Sequence, residues 1–278
     1  MFTKLLKHEW QATKGILALL CVIILISGLA IGGVMHHVVT AGEDIVVIDE
    51  TTVSSETAMS NFEEVMCVLL IMAGVGAVAI CSAGSLFFLV YRFYKRCFTD
   101  EGYLTFTLPV TTHQILLSSF LNTIIGELIM LAAVCLSVAI AVLLFLTAFP
   151  ENLIWADVSV GLKEAFSQMW VSLAEHLDVL ASMTVTGIIG ALSELIVLML
   201  AVTIGAMIAK KNKILAAVGV YYGIGIVQSF VFTFVNLSVW DKHTVLGFFS
   251  VTSLTGLVIG IGGYFLMHYL VDKKLNLT

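Results

Sequence analysis

Charge is scarce in this chain. Of its 278 residues only 12% are Asp, Glu, Lys or Arg, against about 25% in an average globular domain. The shortfall excludes an ordinary water-exposed surface, and it excludes intrinsic disorder, which requires high charge and low hydrophobicity. Proline is nearly absent, at two residues, and the 22 glycines follow no triplet period. Collagen-like and proline-rich linker architectures are therefore excluded. Cysteine is sparse and odd in number: Cys21, Cys67, Cys81, Cys97 and Cys135 lie mostly in apolar runs. Their spacing fits neither a disulfide framework nor a zinc module. No basic tract marks a nucleic-acid partner. Catalytic motifs are missing too. The chain has no G-x-x-x-x-G-K-[ST] phosphate loop, no G-x-S-x-G and no H-E-x-x-H. Neither enzymatic activity nor a cofactor is expected of it, and any ATP it depends on is hydrolysed by another chain.

What is abundant is apolar character: 60% of the residues are hydrophobic and the mean hydropathy is +1.07. This composition predicts an all-α polytopic membrane protein, with residues 1–278 forming one transmembrane domain. A helix needs about 20 apolar residues to cross the roughly 30 Å hydrocarbon layer. Six stretches qualify: 16–35, 65–91, 115–149, 179–209, 214–234 and 245–270. The third and fourth exceed one crossing, so each must extend past the bilayer, tilt or break. A cleaved signal peptide is not expected, because the first apolar run is long and follows a charged amphipathic segment.

The few charges orient the spans. With the N-terminus on side one, that side carries Lys4, Lys7, Lys14, Arg92, Lys95, Arg96, Lys210, Lys211, Lys213, Lys273 and Lys274, while side two carries only Lys163 and Lys242. The acids lean the other way. By the positive-inside rule side one is cytoplasmic, with both termini there and the chain in the cell membrane.

Three of the segments outside the spans carry a pattern of their own. In 1–14, Phe2, Leu5, Leu6 and Trp10 share one helical face, with Lys4, Lys7, Lys14 and Glu9 largely elsewhere. That pattern predicts a helix lying in the membrane interface. In 150–178, Trp155, Val158, Leu162, Phe166, Met169, Trp170, Leu173 and Leu177 recur at helical spacing, predicting an external amphipathic helix. The cytoplasmic loop 92–114 joins a basic stop (Arg92, Lys95, Arg96) to Asp100, Glu101 and Gly102. A short apolar helix over Tyr103–Leu108 is then expected to end at Pro109, with Thr111 or Thr112 capping the next span. The apolar residues of that short helix call for a partner surface.

This loop, TDEGYLTFTLPVTTHQILLSS, resembles the one after the second span in permeases of type-2 ABC exporters, where a Glu-Gly pair and an apolar stretch with Leu-Pro precede the third span. The N-terminal segment is similar to that family's elbow helix, and the six spans extend the likeness over the whole chain. Only Asp100–Gln114 is specific; the rest is architecture. The resemblance implies that the loop is a coupling helix set into a groove of a cytoplasmic ABC ATPase, with Asp100, Glu101, Gly102, Tyr103, Leu108 and Pro109 at the contact. It also implies a pair of permeases, two identical copies or two paralogues, bound to two ATPase subunits and exporting a peptide, drug or other amphipathic substrate. The large outer loop lies between spans three and four, whereas many relatives carry theirs between spans five and six.

Glu127 and Glu194 are the two ionisable residues inside spans. A carboxylate at mid-membrane costs about 2.5–3.5 kcal/mol on insertion scales, so each must face the bundle or a cavity. Glu194 lies about 24 Å along its helix from Lys210, near mid-depth. Each is either a translocation-cavity group that meets substrate or protons, or an acid hydrogen-bonded between helices. Of the seven histidines, His8, His113 and His268 fall near side one and no two share mid-depth on different spans, which argues against a buried bis-histidine haem. The pairs Gly28 and Gly32, Gly219 and Gly223, and Gly256 and Gly260 have the spacing of close helix contacts. Two alternatives to the exporter stand beside it. One is an ion-coupled transporter using the two glutamates; the other is a membrane immunity or scaffold protein that binds a peptide at its acidic outer loops.

Overall fold

A computed structural model describes residues 2–43, 61–99, 102, 111–148, 167, 168, 171, 174, 176–209, 212–239 and 245–274. Of these, 97% are helical, and no strand occurs among them. Six long helices account for nearly all: α1 (Phe2–Glu43), α2 (Asn61–Phe98), α3 (Thr112–Thr147), α4 (Leu177–Ile208), α5 (Lys213–Val239) and α6 (Val245–Lys274). Each contains a stretch long and apolar enough to cross a membrane. Their outward faces are apolar: Leu215, Phe230 and Phe234 are each more than 70% exposed. Such a surface suits hydrocarbon as its solvent, since lipid forces every backbone group to be satisfied within a helix. The chain is an all-α, multi-pass membrane protein.

Each helix runs past the apolar stretch that announced it at one end at least, and two expected boundaries move. The N-terminal segment 1–14 is not a separate helix: α1 runs unbroken through Lys14, Gly15 and Ile16 for 42 residues, about 63 Å at 1.5 Å per residue. Leu5 and Leu6 are partly covered while Lys4, Lys7 and Lys14 are exposed, as the amphipathic pattern requires. Glu9 departs from it and is buried. Likewise the stretch Arg92–Phe98 belongs to α2 and not to the loop that follows. The basic stop thus continues the helix, with Lys95 and Arg96 in its last turn, where the helix dipole favours cations. Thr111 caps α3: its Oγ1 lies 3.4 Å from the Gln114 backbone N–H that donates to it, and Thr111 with Gln114 has the spacing of a capping box. The helices α3 and α4, expected to extend, tilt or break, are continuous. Most of the segment 150–178 lies outside the described residues.

The chain divides into two compact units. One contains Trp10–Phe87 and Ile124–Phe166. Small residues set its spacing: a methyl group on Gly32 of α1 would come within 2.9 Å of the Ala141 Cα of α3, and one on Gly28 within 2.7 Å of the Ser137 carbonyl. Gly74 of α2 stands as close to Ile31. The other unit contains Met1–Glu9, Phe88–Thr123 and Ser167–Thr278. There α4 is central, packed against both α5 and α6. Its buried stripe includes Ser193, Val197, Leu200 and Ala201. Gly256, Gly260 and Gly263 of α6 lie against Ile189, Ser193 and Ile196, so closely that a Cβ on each would come within 3.3 Å of its neighbour. The close-contact spacings of α1 and α6 thus serve packing within the chain. Gly219 and Gly223 of α5, by contrast, face open space.

Candidate functional site

The intramembrane acid Glu194 lines a cleft of about 890 Å³ formed by α4, α5 and α6. Helical periodicity builds the walls. Gly190, Ser193, Glu194 and Val197 recur at intervals of three and four on α4, as do Tyr221, Tyr222, Gly225, Gln228, Ser229 and Phe232 on α5, and Thr252, Thr255, Gly256 and Ile259 on α6. Residues so spaced share a face. Glycine at 190, 225 and 256 keeps the walls low and leaves the volume open. The carboxylate is exposed to this space. Gln228 Nε2 donates to Glu194 Oε1 at 3.0 Å, and the Tyr221 phenol lies within interaction range of the same carboxylate. The Tyr221 and Tyr222 rings stand edge to face with centroids 6.0 Å apart. Among the described residues no Lys, Arg or His lines the cleft. The described lining offers one carboxyl group, an amide, several hydroxyls and aromatic faces, with no basic side chain among them.

Glu127 belongs to the other unit and has a different setting. It is half-buried on α3, and the Ser85 hydroxyl of α2 lies 3.2 Å from its Oε1. The same hydroxyl is 2.7 Å from the Ser82 carbonyl oxygen. Of the two candidate translocation residues, then, Glu194 opens onto a cleft and Glu127 makes a helix-to-helix hydrogen bond.

A third acid was not singled out in the sequence. Glu9 forms a buried ion pair with Arg96 of α2. Ser119 of α3 donates to Glu9 Oε1 at 2.6 Å, and Arg96 Nη1 stands 3.3 Å from both the Ser118 and Ser119 hydroxyls. The start of α1, the end of α2 and the start of α3 are thereby tied in one polar knot. A signal for it exists: Glu9 lies three and four positions beyond Leu6 and Leu5, on the apolar face, where an acid requires a cation. Lys213 Nζ donates to the Phe98 carbonyl at 3.5 Å, which caps the end of α2. Thr112 of α3 donates to Asp272 of α6 at 3.3 Å, and His113 pairs with the Tyr264 hydroxyl. The His113 and His268 rings lie 6.0 Å apart. These contacts gather in one unit the helix ends that the charge distribution assigns to side one.

Of the residues expected at an ATPase contact, Asp100, Glu101, Tyr103, Leu108 and Pro109 lie outside the described residues. Gly102 is described and buried; its N–H donates to the Thr99 carbonyl at 2.7 Å. A Cβ at this position would come within 2.7 Å of the Cys97 carbonyl oxygen, so the turn leaving α2 admits only glycine without a shift. All five cysteines are free thiols. Among the described residues no group of three His, Cys, Asp or Glu side chains is arranged to hold a metal ion. Compared with known proteins, the chain matches no family model, no curated protein and no solved structure.

Proposed function

We propose that this chain is the membrane-spanning subunit of an ATP-driven exporter of the type-2 ABC class, in the cell membrane with both termini cytoplasmic. A separate subunit hydrolyses the ATP, and two permease chains, identical or paralogous, act together. The observation that carries the reading is the fastening of the helix ends on either side of the loop Asp100–Gln114. Arg96 at the end of α2 and Ser119 in the second turn of α3 both bind Glu9, and Lys213 binds the last turn of α2. A loop whose two stems are locked into one polar cluster passes a push from a bound partner to α1, α2, α3 and α5 together, instead of absorbing it locally. The resemblance of the loop to a coupling helix supplies the partner.

Gentle extraction of the chain from native membranes, followed by mass spectrometry, tests this. A stoichiometric soluble protein with a Walker A lysine is expected, and Glu101→Ala or Tyr103→Ala is expected to abolish ATP-dependent transport while leaving membrane insertion intact. Unchanged transport by both variants refutes the assignment. The cleft around Glu194 favours a second reading, an ion-coupled transporter that needs no ATPase. Transport that persists without ATP and is lost in Glu194→Gln would select it.

A further inference from the structure

We infer that the cleft between α4, α5 and α6 binds a lipophilic organic cation, with its positive centre against Glu194 and the Tyr221 and Tyr222 rings and its apolar body along α5 and α6. The role of this ligand as exported cargo rests on the transport reading; its binding does not.

Four observations converge. Glu194 lies near the middle of α4, roughly 25 Å along the helix from Leu177 and roughly 20 Å from Ile208 at 1.5 Å per residue. A carboxylate at that depth is costly unless something compensates it, and Gln228 supplies a hydrogen bond but no charge. Secondly, the described residues of the lining include an acid and no Lys, Arg or His, a composition that favours cations over anions. Thirdly, the volume of about 890 Å³ falls in the range of drug-sized ligand sites, roughly 300–1,000 Å³. A proton carrier needs no such space. A bare calcium ion needs six to eight oxygen ligands at about 2.4 Å, which one carboxylate in so wide a cleft does not provide. Finally, the Tyr221 phenol stands beside the acid, and the Tyr222 ring, its centroid 6.0 Å from that of Tyr221, lines the same cleft. Aromatic faces within about 6 Å attract a desolvated cation, and they favour a soft organic cation over a strongly hydrated one.

Equilibrium binding of tritiated tetraphenylphosphonium to the purified full-length chain in detergent tests the proposal without any ATPase. Saturable binding is expected, at least tenfold weaker in Glu194→Gln and unchanged in Glu127→Gln. Tetraphenylborate, with the same shape and the opposite charge, is expected not to compete. Should Glu194→Gln fail to fold, Tyr222→Ala, whose ring is largely exposed, serves instead and is expected to weaken binding several-fold. No saturable binding by the wild type, equal binding by Glu194→Gln, or equal competition by the borate each overturn the proposal. None of these outcomes bears on co-purification with an ATPase, and absence of an ATPase leaves the binding result standing.

Discussion

At the scale of single residues, three acids placed in apolar surroundings have three different partners. Glu9 is neutralised by Arg96, Glu127 accepts from a serine, and Glu194 accepts from an amide beside an open cleft. The first arrangement is the most sensitive to damage. Removing one member of a buried ion pair leaves the other charge uncompensated, at about 3–5 kcal/mol. Arg96→Ala is therefore expected to lower the unfolding midpoint in detergent sharply. The double replacement Glu9→Leu with Arg96→Met, which removes both charges together, is expected to restore most of the loss. Equal loss in single and double variants would show that the pair contributes no such coupling. For Glu127, truncating the donor in Ser85→Ala is expected to cost only about 0.6 kcal/mol, the average for hydrogen bonds between membrane helices, measured by the same unfolding assay.

At the scale of elements, the glycines sort themselves by what a side chain would meet. Gly32 has Ala141 and Leu144 at 2.9 Å, whereas Gly219 has nothing within 4 Å. Gly32→Leu is accordingly expected to destabilise by about 1–3 kcal/mol through overpacking, and Gly219→Leu to leave the unfolding midpoint within error. Similar losses from both substitutions would mean that α5 has a contact of its own at that face. Gly102→Ala belongs to this scale as well. Its Cβ would press on the Cys97 carbonyl, so the variant is expected to insert normally, and on the proposed exporter reading to lose ATP-dependent transport in a vesicle assay. Helix existence and type were legible in the sequence because long apolar runs have no other structure available in lipid. Helix ends were less so. Hydropathy marks where a helix enters hydrocarbon, whereas the hydrogen-bond ladder continues as long as caps and propensity allow. For that reason α1 passes through Lys14 without a break, and α2 carries Arg92, Lys95 and Arg96 as helical residues.

At the scale of the whole molecule, the charge asymmetry makes a prediction that contacts alone do not. On a cysteine-free background, Lys210→Cys is expected to react with an impermeant maleimide only after the membrane is opened, and Lys242→Cys in intact cells. The reverse pattern would place the loop Asp100–Gln114 outside, beyond reach of any cytoplasmic ATPase. The number of candidate spans and their order were determined by the sequence by itself, because bilayer thickness acts on the length and composition of an apolar run alone. Which polar groups meet was decided only by the tertiary structure. Glu194 finds Gln228 across 34 residues, and Glu127 finds Ser85 across 42. Helical periodicity states which face a residue occupies, but not which helix packs against that face. The neighbour is selected by the shapes of small residues, with Gly28 and Gly32 admitting α3 and Gly256 and Gly260 admitting α4. The cleft that leaves Glu194 open is a consequence of that choice.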